Sequence, residues 1–192
     1  MPTDDISQRY LEKAIAEIND LGREIAQVAG ADRAPVLGSG HPQADLFLLK
    51  YGAQAAEQHE GVAFFGRAGQ AILKSLQRLH VDPTAIYGTN CLKFSGAEEE
   101  QAREWLTREI HIVQPKLIVV MGQDALSCLN AVRFPLAVEV ANEPGSIQKF
   151  TPTIEALVTP DIDASLDEAP AKRGFWDAFK AIGPWWSELP PY

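Results

Sequence analysis

Apolar residues recur along this chain with two alternating periods. Between residues 5 and 28 they fall at Tyr10, Leu11, Ala14, Ile15, Ile18, Leu21, Ile25 and Val28, mostly three and four apart. That spacing predicts a long amphipathic helix over about 5–29, closed by Gly30. Residues 31–43, with Pro35, Gly38, Gly40 and Pro42, read as a loop. Residues 44–49 are then a nearly continuous apolar run of strand length, the pattern of a strand buried on both faces. A polar loop is expected over 50–60. Small residues and two adjacent aromatics, Gly61 to Gln70, lead into a helix with Ile72, Leu73, Leu76 and Leu79 on its apolar positions.

The alternation continues. A second strand is predicted over 85–92, and a helix over 98–113 that shows Trp105, Leu106, Ile110 and Val113 on one face and stops before Pro115. Residues 116–122 form the clearest buried strand, followed by a helix over 123–131. A fourth strand spans 154–160, with a short strand at 146–150 before it. A last helix over 172–182 leads to an aromatic, proline-rich tail at 183–192. Strands alternating with helices predict one α/β domain over 1–192, a three-layer α/β/α arrangement around a mostly parallel four-stranded sheet. In such folds ligands bind beyond the carboxyl ends of the strands, here the loops 50–65, 90–97 and 160–169.

Composition narrows the chemistry. With 192 residues and 46% hydrophobic positions the chain can bury a sizeable core, and no run approaches the roughly 18 apolar residues of a membrane span. The first residues do not read as a signal peptide. Cys91 and Cys128 are too few for a disulfide framework, so free thiols and a cytoplasmic setting are expected. A formal net charge of −9 works against nonspecific binding of nucleic acid, although a local basic face remains compatible with it. His41, His59, His80 and His111 lack metal-ligand spacing, and no phosphate-cradling or nucleophile-elbow motif is present. No metal and no cofactor is therefore expected.

Four groups of residues remain. Gly66 and Gly69 allow a close approach, and Phe64 or Phe65 offers a ring face to a planar ligand. The plainer reading is a tight loop before a helix. Glu57, within Glu57-Gln58-His59-Glu60, is a candidate acid or base, with solvated surface as the alternative. Asn90, ending the second strand, has the bidentate edge that reads a base, or else bonds its own turn. Asp161 and Asp163 follow the fourth strand, where capping competes with catalysis.

Taken together, these segments resemble the uracil-DNA glycosylase superfamily, most of all its iron–sulfur-containing family 4 branch. Gly40-His41-Pro42-Gln43-Ala44-Asp45-Leu46 is similar to the family's GNPxADL, and Gly61 to Gln70 to its GxPFxGxAGx. Residues 86–93 are similar to VYxTNxxK, residues 114–122 to NPKxIVxLG, and residues 172–180 to the closing helix. The resemblance implies that Phe64 stacks a base and Asn90 reads its edge. It also implies losses. The GEAPG motif falls on Lys50-Tyr51-Gly52-Ala53-Gln54, which puts Tyr51 in place of the water-positioning carboxylate and Tyr51 and Gly52 beside the base. HPxxLL falls on Asp161 to Leu166, so an aspartate replaces the histidine that supports charge on departing uracil, a reversal of sign. Phe94 and Ala102 stand at two cluster-cysteine positions, which implies apolar packing in place of the cluster. Glu57 matches a second acidic position.

The expectation is a glycosylase-like protein that keeps a base-stacking pocket and binds a base, a nucleotide or DNA without ordinary uracil excision. An active glycosylase using Glu57, Asp161 or Asp163 is the enzyme alternative. A protein-interaction role, favoured by the acidic charge and by Trp185-Trp186 as an anchor, is the third, with packing of that pair against the core as the plainer reading.

Overall fold

The computed structural model describes the backbone of residues 2–190 and the side chains of residues 5–190. Helix α1 (Pro2–Ala29) precedes a sheet made of β1 (Ser39–Gly40), β2 (Leu46–Lys50), β3 (Ile86–Asn90), β4 (Leu117–Met121), β5 (Ile147–Lys149) and β6 (Glu155–Thr159). The helices between and after the strands are α2 (Ala55–Glu60), α3 (Arg67–Arg78), α4 (Glu99–Val113), α5 (Gln123–Ala131), α6 (Ala169–Phe179) and α7 (Ile182–Ser187). Strand order is β1-β3-β2-β4-β6-β5, and the central four strands are parallel.

Period two along each strand sorts the side chains into two layers. Leu46, Leu48, Leu117, Val119 and Leu157 face α3, α6 and α7, where they meet Ile72, Leu76, Phe175, Phe179 and Ile182. Phe47, Leu49, Ile118, Val120 and Val158 face α4 and α5, meeting Leu106, Ile110, Leu126 and Leu129. Helix α1 packs outside α4 through Leu21, Ile25 and Ala29, which surround Phe94 and Trp105. The molecule is thus a three-layer α/β/α sandwich, with an additional helix on one side.

Three expectations need correction. The sheet has six strands rather than four, because β1 and β5 add short antiparallel edges. A two-residue strand such as β1 is too short to show periodicity, which is why 31–43 reads as pure loop. The polar stretch 50–60 is not a loop: Lys50 ends β2 and residues 55–60 form α2. The buried residue of that short helix is Glu57, so hydropathy hides it. The stretch expected as an irregular tail is partly helical, since α7 spans Ile182–Ser187. Pro184 sits in the first turn of α7, where its missing N–H costs no hydrogen bond. Trp185 Nε1 donates to Glu155 Oε2 at 2.6 Å, and both Trp185 and Trp186 pack against the α3/α6 layer. Residues 191 and 192 of the expected tail lie outside the described residues. No helix among the described residues is long and apolar enough to cross a membrane.

Candidate functional site

The parallel register aligns the carboxyl ends of the strands. Lys50 of β2 lies between Asn90 of β3 and Met121 of β4, and Met121 pairs with Thr159 of β6. Strand parity then decides what each end presents. Lys50 follows Leu46 and Leu48 onto the α3/α6 face, as Asn90 follows Ile86 and Gly88.

Lys50 is almost wholly buried, at 1% exposed. Its ammonium donates to Glu57 Oε2 at 2.5 Å and to Asp163 Oδ2 at 2.8 Å, and it lies 5.5 Å from the centre of the Phe64 ring. Glu57, equally buried, gathers the site's donors. Oε2 also accepts from Gln54 N at 2.7 Å, while Oε1 accepts from Phe64 N at 2.6 Å and from Asn90 Nδ2 at 3.5 Å. A carboxylate this deep is tolerable because four donors, one of them charged, replace its water. Its bond to Phe64 N also helps hold that residue at φ 62°, a conformation costly for any residue with a Cβ.

Two glycines make room for Phe64. A Cβ on Gly69 would stand 1.9 Å from the Phe64 carbonyl oxygen, and one on Gly88 would stand 2.6 Å from the Phe64 ring. The ring therefore lies on the bare backbone of β3 with Lys50 beside it. Phe65 is half exposed, and it and Phe64 both line an apolar cleft of about 450 Å³ together with Leu48, Ile72, Leu73 and Ile86.

Among the described residues two buried acceptors lack a hydrogen-bond partner, Asn90 Oδ1 and Asp163 Oδ1. Asn90 is completely buried, whereas the Asp163 side chain is 14% exposed and marks the side nearest solvent. Asp161 is exposed, and its Oδ1 accepts from Asp163 N at 2.8 Å, a side-chain turn that leads into the short 3₁₀ segment Asp163–Ser165. Among the expected site residues, the fold thus brings together Glu57, Phe64, Asn90 and Asp163, with Asp161 at the rim.

It does not bring in Tyr51 or Gly52. Tyr51 has the opposite parity to Lys50 and borders a groove between α4 and α5 with Leu92, Asp124 and Cys128. Burial, then the Asp124 charge, raises its phenol above the usual range. Gly52 borders a different cavity with Asp32, Arg33 and Phe94. Glu57 is likewise no solvated acid. The residue that sequence reasoning missed is Lys50. Its signal was a cation ending an apolar strand in the same parity as Leu46 and Leu48.

A second buried lysine lies behind Asn90. Lys93 donates to Thr89 Oγ1 at 2.6 Å, to the Asn90 carbonyl at 2.8 Å and to Glu109 Oε2. Glu109 Oε1 accepts from Tyr87 OH and Thr89 Oγ1, at 2.8 and 2.9 Å. Burial and the Glu109 charge push the Tyr87 phenol well up. The two cysteines, distant in sequence, are brought together: burial raises the Cys91 thiol, and its hydrogen bond lowers that of Cys128. At the positions where the resemblance puts cluster cysteines, Phe94 packs against Trp105 with ring centres 5.8 Å apart, and Ala102 is buried. These side chains do not fit an iron–sulfur cluster.

A family profile described as the uracil DNA glycosylase superfamily matches residues 37–178. The chain is also similar to a type-4 uracil-DNA glycosylase of Sulfurisphaera tokodaii, 27% identical over 97 residues, which covers 46% of this chain and 44% of that protein. The chain thus spans less than half the length of that relative.

Proposed function

The chain belongs to the uracil DNA glycosylase superfamily, and on that premise we propose a base-recognition protein that does not carry out ordinary uracil excision. The saturation of Glu57 carries this reading. A general base needs a lone pair turned toward water, and this carboxylate is 1% exposed with Lys50, Gln54, Phe64 and Asn90 already donating to it. Asp161, at the rim, would repel negative charge on departing uracil. What persists is a ring face, an amide edge and their supports.

DNA or a nucleotide is the partner class that fits. Helix α3 follows the Phe64 loop directly and carries Arg67, Lys74 and Arg78 with no acidic residue of its own, so that with Arg67 paired to Asp167 it still stands against the −9 of the chain. Trp185 and Trp186 are partly buried against the α3/α6 layer, so of the two features that favour a protein-interaction role the acidic charge is the less affected.

Enzyme-excess incubation with uracil-containing single- and double-stranded DNA tests the reading. No uracil release is expected. Release at ordinary glycosylase rates, abolished by Asn90→Ala, overturns it. One observation favours an enzymatic alternative: Asp163 Oδ1 has no partner and its side chain reaches the surface. Slow release of any base that Asp163→Asn eliminates would establish that second reading.

A further inference from the structure

We propose that the base taken by this site is a cationic one rich in N–H donors, of the N-alkylated adenine or cytosine class, rather than uracil. The inference rests on the base-recognition reading above. Its first support is charge. Lys50, Glu57 and Asp163 together carry one positive and two negative charges with little exposure, which leaves the site one negative charge out of balance. The excess falls at Asp163, the partly exposed member, and a monocation there restores neutrality.

The second support is the hydrogen-bond pattern. The orphan atoms, Asn90 Oδ1 and Asp163 Oδ1, are both acceptors, so an incoming edge must donate. Glu57 fixes this polarity. Turning the Asn90 amide over would set its oxygen, instead of Nδ2, 3.5 Å from Glu57 Oε1, acceptor against acceptor. Uracil presents one N–H between two carbonyls and departs as an anion, a poor match on both counts. A cationic adenine or cytosine offers an amino group and a delocalised positive charge.

The third support is the present occupant. Phe64 already has an ammonium 5.5 Å from its ring centre, and ring faces attract cations of any kind. The way in lies at Asp163, the partly exposed member. Parting the Lys50–Asp163 bridge leaves Lys50 on Glu57 and opens both oxygens of Asp163 to the donors of the ligand.

The test compares short single-stranded oligonucleotides with one central 1-methyladenine, adenine or uracil, measured by fluorescence anisotropy on the full chain. The expected result is a preference of roughly tenfold for 1-methyladenine over both others, the scale of one desolvated cation–π contact. Asp163→Asn should erase that preference, and the surface control Glu100→Gln should retain it. Uracil binding as well as or better than 1-methyladenine, or adenine equalling it, overturns the inference but leaves base recognition standing. Identical affinity for all three, or no binding at all, overturns base recognition itself. Equal losses in both variants would reduce the preference to bulk attraction and overturn the inference.

Discussion

Two lysines are buried on opposite faces of the same sheet, and their surroundings differ in one respect. Around Lys93 the polar groups close on themselves, with Tyr87, Thr89, Glu109 and the Asn90 carbonyl each paired within the cluster. Around Lys50 they do not, since Asn90 Oδ1 and Asp163 Oδ1 remain without partners. A closed network is a structural solution that supports β3 from behind. An open one has binding capacity left over, and its position at the carboxyl ends of the parallel strands is where an α/β sheet takes ligands. Burial of charge is common to both clusters, and incomplete pairing is what sets the Lys50 cluster apart.

The comparison can be broken by stability measurements in urea. Glu109→Gln should have the largest effect, a loss of about 3–5 kcal/mol, because Lys93 is left buried without a counter-charge. Lys50→Met should lose less, about 1–3 kcal/mol, since Glu57 keeps its N–H donors from Gln54, Phe64 and Asn90 while Asp163 can hydrate. If Lys50→Met proves the more damaging of the two, the open cluster is the structural one and the contrast fails. The smallest effect is expected away from both clusters. Burial opposes ionisation of Glu155, but its hydrogen bonds with Trp185 and Lys149 hold its carboxyl below the usual range. A group with a depressed folded pKa contributes stability above its unfolded pKa and loses that contribution as pH falls through the folded value. Trp185→Phe should thus cost about 1 kcal/mol near neutrality. The difference from the parent should shrink once the pH drops below the ordinary glutamate value of about 4.3. A cost independent of pH would assign the Trp185 effect to packing alone.

Sequence reasoning read the fold well where apolar periodicity was long. α1, β2, α4, β4 and α5 each carry enough turns or alternations for the pattern to declare itself. It failed where elements were short or their buried residue was charged, as with β1, α2 and α7. The site shows the same division. Phe64 and Asn90 were legible as residue types suited to a base, but Tyr51 and Gly52 were placed by an ungapped motif match that ignored strand parity. One position along a strand reverses the face, so the side chain beside Phe64 and Asn90 is Lys50 and not its neighbour.

The amino-acid sequence alone therefore determined the layer architecture, the parallel sheet and the loops at its carboxyl ends, because these follow from local periodicity and chain order. Only the tertiary structure decided that Lys50, Glu57 and Asp163 form one ion-paired cluster. Lys50 and Asp163 lie 113 positions apart, and what unites them is the register of parallel strands rather than any local signal. The same long-range pairing converted Glu57 from an available acid into a saturated one and left two acceptors unpaired. Hydrogen-bond saturation is a property of neighbours, and in this chain the deciding neighbours come from β2, α2, β3 and the segment after β6.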